Sequence, residues 1–414
     1  MEFFMRKHLS CGMSAVLGAT LLAAFTPVSA QAIFPAANAT VAPSKDAFYK
    51  SPTAAVLNAA TPGAVLRYRT TPNTSYASSV KEVYQVMYRT TDGQGTPTAA
   101  VTTLLIPTAA PATGRKLLAF QSFYDSLSLD CSPSGLTLSN KLFEKNTINP
   151  ALKAGVLVAM ADYEGLQSQW IAGPNTAHGV LDGIRAVENF SKSGLNKSTP
   201  VALMGYSGGG HASAWANEVA PEYAPELNIV GSAMGGIPVD LLNVAKKVDG
   251  TLFAPVYFGA VVGLSRAHPE IDPNKYATAA GKDMIADMGN RCLLGSLQGK
   301  PDMLIAKYMF QKGSKFLNDA NFLDLPEIKA IGEINKLGKR VPMAPMYIFE
   351  GSQDEIMPLA DVDALVQGYC AAGKAVQYNR VAIGDHLSLA LSTAPSINYV
   401  LDRLDGKPAP TNCK

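Results

Sequence analysis

The sequence predicts a layered α/β fold with a central, mostly parallel sheet and an inserted, mainly helical cap. Three observations predict it. Continuous apolar runs at 116–121, 155–161, 200–204, 228–234 and 346–350 alternate with helical stretches, as strands buried on both faces of a parallel sheet do. The stretch 200–218 passes from such a run, through Gly205-Tyr206-Ser207-Gly208-Gly209, into an Ala-rich helical run. Residues 236–341 hold helical pieces broken by Gly and Pro, too long for a loop and too irregular for sheet.

Taken in chain order, residues 1–30 have the build of a secretory signal. Arg6 and Lys7 precede a small-apolar run from Cys11 to Phe25, and Val28-Ser29-Ala30 forms a small-x-small cleavage site. The run is short for a membrane span. Export, with cleavage near Ala30, is expected. Residues 31–50, rich in Ala, Pro and Ser, read as a loose arm. Between 65 and 107, alternating β-formers and the turn Thr91-Asp92-Gly93-Gln94-Gly95 read as an antiparallel start to the sheet. The β-α-β units follow, and 374–381 closes the set more weakly. Antiparallel strands, then β-α-β units around a Ser-centred turn, describe an α/β-hydrolase, with residues 31–237 and 338–414 as its core and 238–337 as the cap.

Composition narrows the partners. The chain has 414 residues and a formal net charge of +2, which falls to +1 without residues 1–30. No basic run exceeds Lys246-Lys247, so nothing attracts nucleic acid. Charged residues make up only 16%, which fits an apolar surface or pocket. Without the leader, Cys131, Cys292, Cys370 and Cys413 remain, far apart and with no C-x-x-C. That pattern argues against zinc. An even count in an exported chain points to two disulfides, with three connectivities open, against the alternative of unpaired buried thiols.

Gly-x-Ser-x-Gly between a strand and a helix is the setting of a nucleophile elbow. The serine sits in a strained turn, so its flanking positions must lack side chains. The next amide, that of Gly208, points near the helix N-terminus, where negative charge is stabilised. A structural Gly-rich turn with an incidental serine is the bland alternative. In this fold class the triad runs Ser, acid, His along the chain. His178 precedes Ser207. His211 lies one turn along the elbow helix and points away, and His268 sits inside the cap as a surface or loop histidine. His386, in Ile383-Gly384-Asp385-His386, follows the last strand, where a general base belongs.

The acid that orients this histidine is Asp354, just past the strand 346–350, with Glu350 and Glu355 as neighbours that could substitute. A capping role is the alternative for Asp354. Asp385 reads as a turn residue. The second oxyanion donor belongs in Gln121-Ser122-Phe123-Tyr124-Asp125-Ser126, with the Asp125 amide as candidate. Asp162 and Glu164 form a carboxylate pair at a strand end and read as structural.

These residues resemble the secretory lipase family, the lipase-A type of α/β-hydrolase. The likeness runs through most of the chain and rests on Tyr88-Arg89-Thr90-Thr91-Asp92, Gln121-Ser122-Phe123-Tyr124-Asp125-Ser126, Cys131-Ser132-Pro133-Ser134, Asp162-Tyr163-Glu164-Gly165, Ala172-Gly173-Pro174, 179–185, the elbow, and the Asp354 and His386 loops. It implies a Ser207–Asp354–His386 triad and an oxyanion hole from Asp125 and Gly208. It also implies disulfides Cys131–Cys292 and Cys370–Cys413, and an acyl tunnel in the cap. Some members continue past the last cysteine into a hairpin flap, whereas this sequence ends at Lys414, which implies a more open site. The expectation is a secreted, monomeric serine ester hydrolase, lipase-like, that needs no metal or organic cofactor and touches a lipid–water interface transiently. A short-chain or polyester esterase is the alternative on the same triad. A peptidase on this fold, or a non-catalytic binding protein, stands further off.

Overall fold

The computed structural model describes residues 32–414, apart from Thr74 and Ala77. The signal segment and its cleavage site lie outside the described residues.

Among the described residues, ten strands form one sheet in the order β1-β2-β3-β4-β6-β5-β7-β8-β9-β10. The antiparallel start is β2 (Val65–Thr70), β3 (Val80–Thr91) and β4 (Pro97–Pro107), and β4 pairs antiparallel with β6 (Leu157–Ala161). From there the pairing is parallel through β5 (Leu117–Gln121), β7 (Val201–Tyr206), β8 (Ile229–Gly235), β9 (Met346–Gly351) and β10 (Val376–Val381). All the apolar runs read as parallel strands take that role.

Period-two alternation divides these strands between two cores. Leu117, Ala119, Val201 and Leu203 pack on one side with the helices Gly173–Asn189 and Gly208–Tyr223. Leu118, Phe120, Ala202 and Met204 pack on the other with the helix Ala394–Leu404. Both faces are apolar because both are covered.

One expectation needs correction. The described part of 31–50, residues 32–50, is not a loose arm. Ala32–Ile33 form β1, parallel to β2, and Phe48 and Tyr49 are buried against Met87, Ala99 and Val101. Arg69 lies 4.2 Å from the Phe48 ring centroid and pairs with Asp46 at 2.6 Å. The Ala/Pro/Ser composition concealed two aromatic anchors whose burial outweighs the entropy of ordering the segment.

Two features of this topology position a site. The chain leaves β5 for β6 on one side, then returns to β7 on the other. The crevice between their carboxyl ends is a switch point, where ligands bind in open α/β sheets. Over it, between β8 and β9, runs a series of helices from Leu241–Val248 to Pro326–Ile334. Apolar side chains of this insertion, Val244, Phe253, Tyr257 and Met303, form a core shared with Trp170, Ile356 and Met357.

Candidate active site

Ser207 follows β7 directly and caps the start of the helix Gly208–Tyr223 at φ 53°, ψ −122°, a backbone conformation that costs an L-residue. The turn holds because its neighbours are glycines. A Cβ on Gly205 would fall 2.2 Å from the Gly209 carbonyl oxygen, and one on Gly209 would fall 1.9 Å from that of Gln121. Hydrogen bonds fix the serine from both sides: its amide donates to Gly235 at 2.9 Å, and its carbonyl accepts from His211 at 2.8 Å.

His386 reaches the serine from the loop after β10. Its Nε2 is 2.8 Å from Ser207 Oγ and its Nδ1 is 2.7 Å from Asp354 Oδ2. The backbone around the histidine is held as firmly. Glu355 accepts its amide at 2.8 Å, Tyr206 donates to its carbonyl at 2.7 Å, and Asp385 caps the short helix His386–Leu389 by accepting from Ser388. Asp354 turns its other oxygen to the amides of Ile356 and Met357 at 2.8 and 2.6 Å. Burial pushes its pKa up, but hydrogen bonding and the charge of His386 outweigh that, and the net shift is downward. The carboxylate therefore stays ionised where it faces the imidazole.

Asp125 sits in the loop after β5 at φ 36°. Its Oδ1 accepts from the indole Nε1 of Trp170 at 2.9 Å and lies 1.8 Å from where a Gly208 Cβ would be. Burial raises this carboxyl to about 6, against the opposing Trp170 bond. The Asp125 amide has no acceptor among the described residues, and the Gly208 amide, in the first helical turn, is beyond reach of helical carbonyls. The chain 291–293 clips this loop to the helical insertion: Leu127 donates to Arg291 at 3.0 Å, Leu293 donates to Asp125 at 3.2 Å, and Cys131 is bonded to Cys292. Cys370 is bonded to Cys413. Both pairings are those implied by the resemblance.

A cavity of about 320 Å³ opens on Ser207, Gly208, Asp125 and His386 and is otherwise walled mainly by apolar side chains, among them Trp170, Val244, Tyr257 and Leu304. A second, about 70 Å³, is lined wholly by the insertion and shares Leu241, Ala245, Tyr257 and Ala260 with it.

The remaining candidates lie elsewhere. His211 is buried one turn along the elbow helix, its pKa pulled down to about 3 by burial. His268 is buried, not a surface histidine, with Nδ1 3.0 Å from Glu270 and Nε2 3.2 Å from Asn335 Nδ2. Asp162 accepts from Ser134, and Glu164 accepts from the Ser126 amide at 3.2 Å, so both brace loops. Sequence reasoning missed Trp170, Tyr206 and Lys247. Lys247 sits on the helix Leu241–Val248 and donates to the carbonyls of Asp354 and Met357 at 2.6 and 2.8 Å. No local pattern marks these residues, since each acts across a long sequence distance. Among the described residues there is no group of three His, Cys, Asp or Glu side chains arranged to hold a metal, and no helix is long and apolar enough to cross a membrane.

With this geometry in view, the chain can be set beside known proteins. Residues 132–412 match the family described as secretory lipase. Lipase A of Arthroderma benhamiae is 33% identical over 400 residues, covering 92% of this chain and 83% of that protein. A Mycobacterium tuberculosis protein named "Probable inactive lipase" is 33% identical over 381 residues, covering 88% of this chain and 83% of its own. The X-ray structure of Candida antarctica lipase A superposes with a TM-score of 0.84 at 31% identity, over 91% of this chain and 89% of that one. The chain belongs to the secretory lipase family.

Proposed function

We propose that this protein is a secreted serine ester hydrolase of lipase type, with Ser207 as nucleophile, His386 as general base and acid, and Asp354 as the acid that orients it. The observation that carries the reading is the continuous chain Asp354 Oδ2···His386 Nδ1 and His386 Nε2···Ser207 Oγ, at 2.7 and 2.8 Å, in an apolar cavity. A relative named inactive makes that integrity matter, because all three side chains are present here and in register.

His386 takes the Ser207 proton as Oγ attacks the ester carbonyl, and Asp354 stabilises the imidazolium. The amides of Asp125 and Gly208 receive the oxyanion, a contribution worth about 3–4 kcal/mol per donor in comparable sites. His386 then gives its proton to the leaving alcohol, and water repeats the cycle on the acyl-enzyme. Side chains and backbone supply every step.

Residues 238–337 act as a cap over the site, and the two adjoining cavities take the acyl chain. Apart from Asp125 and His386, the residues lining the larger cavity include no carboxylate, Lys, Arg or His. That supports an acyl substrate over a peptide, whose termini need a charged partner. At the mouth Leu297, Leu387 and Leu391 both line the cavity and stand exposed, a rim suited to transient contact with a lipid–water interface. The protein works as a monomer, exported after cleavage near Ala30.

A series of p-nitrophenyl esters from C2 to C18, run on the purified protein beside Ser207→Ala, tests the reading. Wild-type turnover with a loss of about 10³-fold or more in the variant is expected. Equal activity in the two proteins would overturn it.

A further inference from the structure

The helix Leu241–Val248 touches two parts of the site at once. On one face Leu241, Val244 and Ala245 line the larger cavity, and Val248 is buried in the same apolar core. Asn243 and Lys247, one turn apart, share another face. Both residues are exposed, yet the polar end of each is tied to the segment that follows β9. Lys247 Nζ donates to the carbonyls of Asp354 and Met357 at 2.6 and 2.8 Å. Asn243 Nδ2 donates to both carboxylate oxygens of Asp361, each at 3.1 Å, in the first turn of the helix Leu359–Ala371.

What Lys247 grips is backbone, and the carboxylate of Asp354 is tied to that same backbone. Asp354 Oδ1 accepts from the amides of Ile356 and Met357, and the Asp354 amide donates to Gly351 at 3.2 Å. Residues 354–357 therefore make a closed turn that carries the carboxylate with it, and Oδ2 faces His386. Among the described residues no other donor reaches the Asp354 or Met357 carbonyl. An ammonium has three N–H donors, enough to hold both carbonyls and keep one toward water. Without the amine the turn loses its polar tie to the helix. Ile356 and Met357 would still pack in the apolar core they share with it, so the fold survives the loss.

We propose that Lys247 is a positioning residue, with Asn243 as its second anchor. Together they tie the acid of the triad to the wall of the acyl cavity, so that the seating of this helix sets how Asp354 meets His386. The inference rests on the Ser207–His386–Asp354 reading. It gives the acyl chain a second task. A chain long enough to pack on Val244 and Ala245 fixes the helix, and Lys247 carries that constraint to Asp354. Binding far from the reacting bond is thereby used on the chemistry. The chain stays in place through deacylation, because it is then esterified to Ser207, so both halves of the cycle gain. A short acyl group leaves the helix unloaded and gains less. Misplacement by about 1 Å can cost about 10²-fold in rate, so a partial loss of alignment is read as about tenfold.

The test compares wild type, Lys247→Met and Asn243→Ala on the p-nitrophenyl C2 and C12 esters. An aliquot of each protein is titrated with an organophosphonate, so that kcat is counted per active site. Met keeps the aliphatic stem of Lys247 and removes the donor. Lys247→Met should lower kcat about tenfold on the C12 ester and about threefold or less on the C2 ester, with KM little changed on either. The low-field proton resonance of His386 Nδ1, which reports the bond to Asp354, should move upfield in this variant. Wild-type kcat on the C12 ester, equal losses on the two esters, or an unmoved resonance would overturn the proposal. Asn243→Ala should show the same chain-length signature more weakly, and it decides if Lys247→Met does not fold. Failure of the wild type to label on Ser207 would instead overturn the triad reading, so the two failures are distinguishable.

Discussion

Trp170 Nε1 donates to Asp125 Oδ1 at 2.9 Å, and that same oxygen fills the space a side chain on Gly208 would need. A tryptophan that walls the cavity therefore fixes the loop proposed above to supply an oxyanion donor. Trp170→Phe keeps the ring and removes the donor. It should lower kcat about tenfold with KM near wild type. Gly208→Ala should cost more, about 10²–10³-fold, because its methyl displaces Asp125 and both amides leave their positions. Steady-state kinetics on p-nitrophenyl butyrate checks both, and a Gly208→Ala enzyme at wild-type rate would remove Asp125 from the site.

Much of this was legible in the sequence, for a physical reason. The strands are continuous apolar runs because both sheet faces are covered, and the elbow needs glycines because backbone passes within contact distance of Gly205 and Gly209. Ser207, Asp354 and His386 each follow a strand, so chain order located them. Trp170 and Lys247 could not be found that way. Trp170 meets Asp125 across 45 residues and Lys247 meets Asp354 across 107. The 31–50 segment misled because two aromatics weigh more than the small residues around them.

Stability should fall as pH rises, the reverse of ordinary acid denaturation. Burial raises Glu144 to about 8, although the Ser122 hydroxyl and the Phe123 amide both turn to it. The folded chain then binds a proton that the unfolded chain releases near pH 4.3. The contribution is fully present below that value and is lost as pH climbs toward 8, by up to about 1.4 kcal/mol per unit. Asp162, raised to about 7 by burial, acts in the same direction. Thermal melts from pH 5 to 9 should show a falling Tm, and Glu144→Gln should flatten the slope. A slope unchanged by that substitution would place the effect elsewhere.

Chain-length preference should be adjustable at the wall between the two cavities. Ala260, on the helix Ala254–Ala267, lines both. Ala260→Phe fills the passage, so the ratio of kcat/KM for C12 over C4 esters should drop about tenfold or more, since each methylene in an apolar pocket carries roughly 1–3 kcal/mol of discrimination. An unchanged ratio would mean that the acyl chain does not enter the second cavity.

Ser207 as the nucleophile is tested most directly by one experiment. The purified protein is treated with one equivalent of an alkyl p-nitrophenyl phosphonate, and the adduct is located by peptide mass spectrometry. The prediction is a single adduct on Ser207, with loss of ester hydrolysis in proportion to labelling and no reaction in His386→Ala. Full labelling at another residue, or ester hydrolysis that persists after Ser207 is blocked, would contradict it.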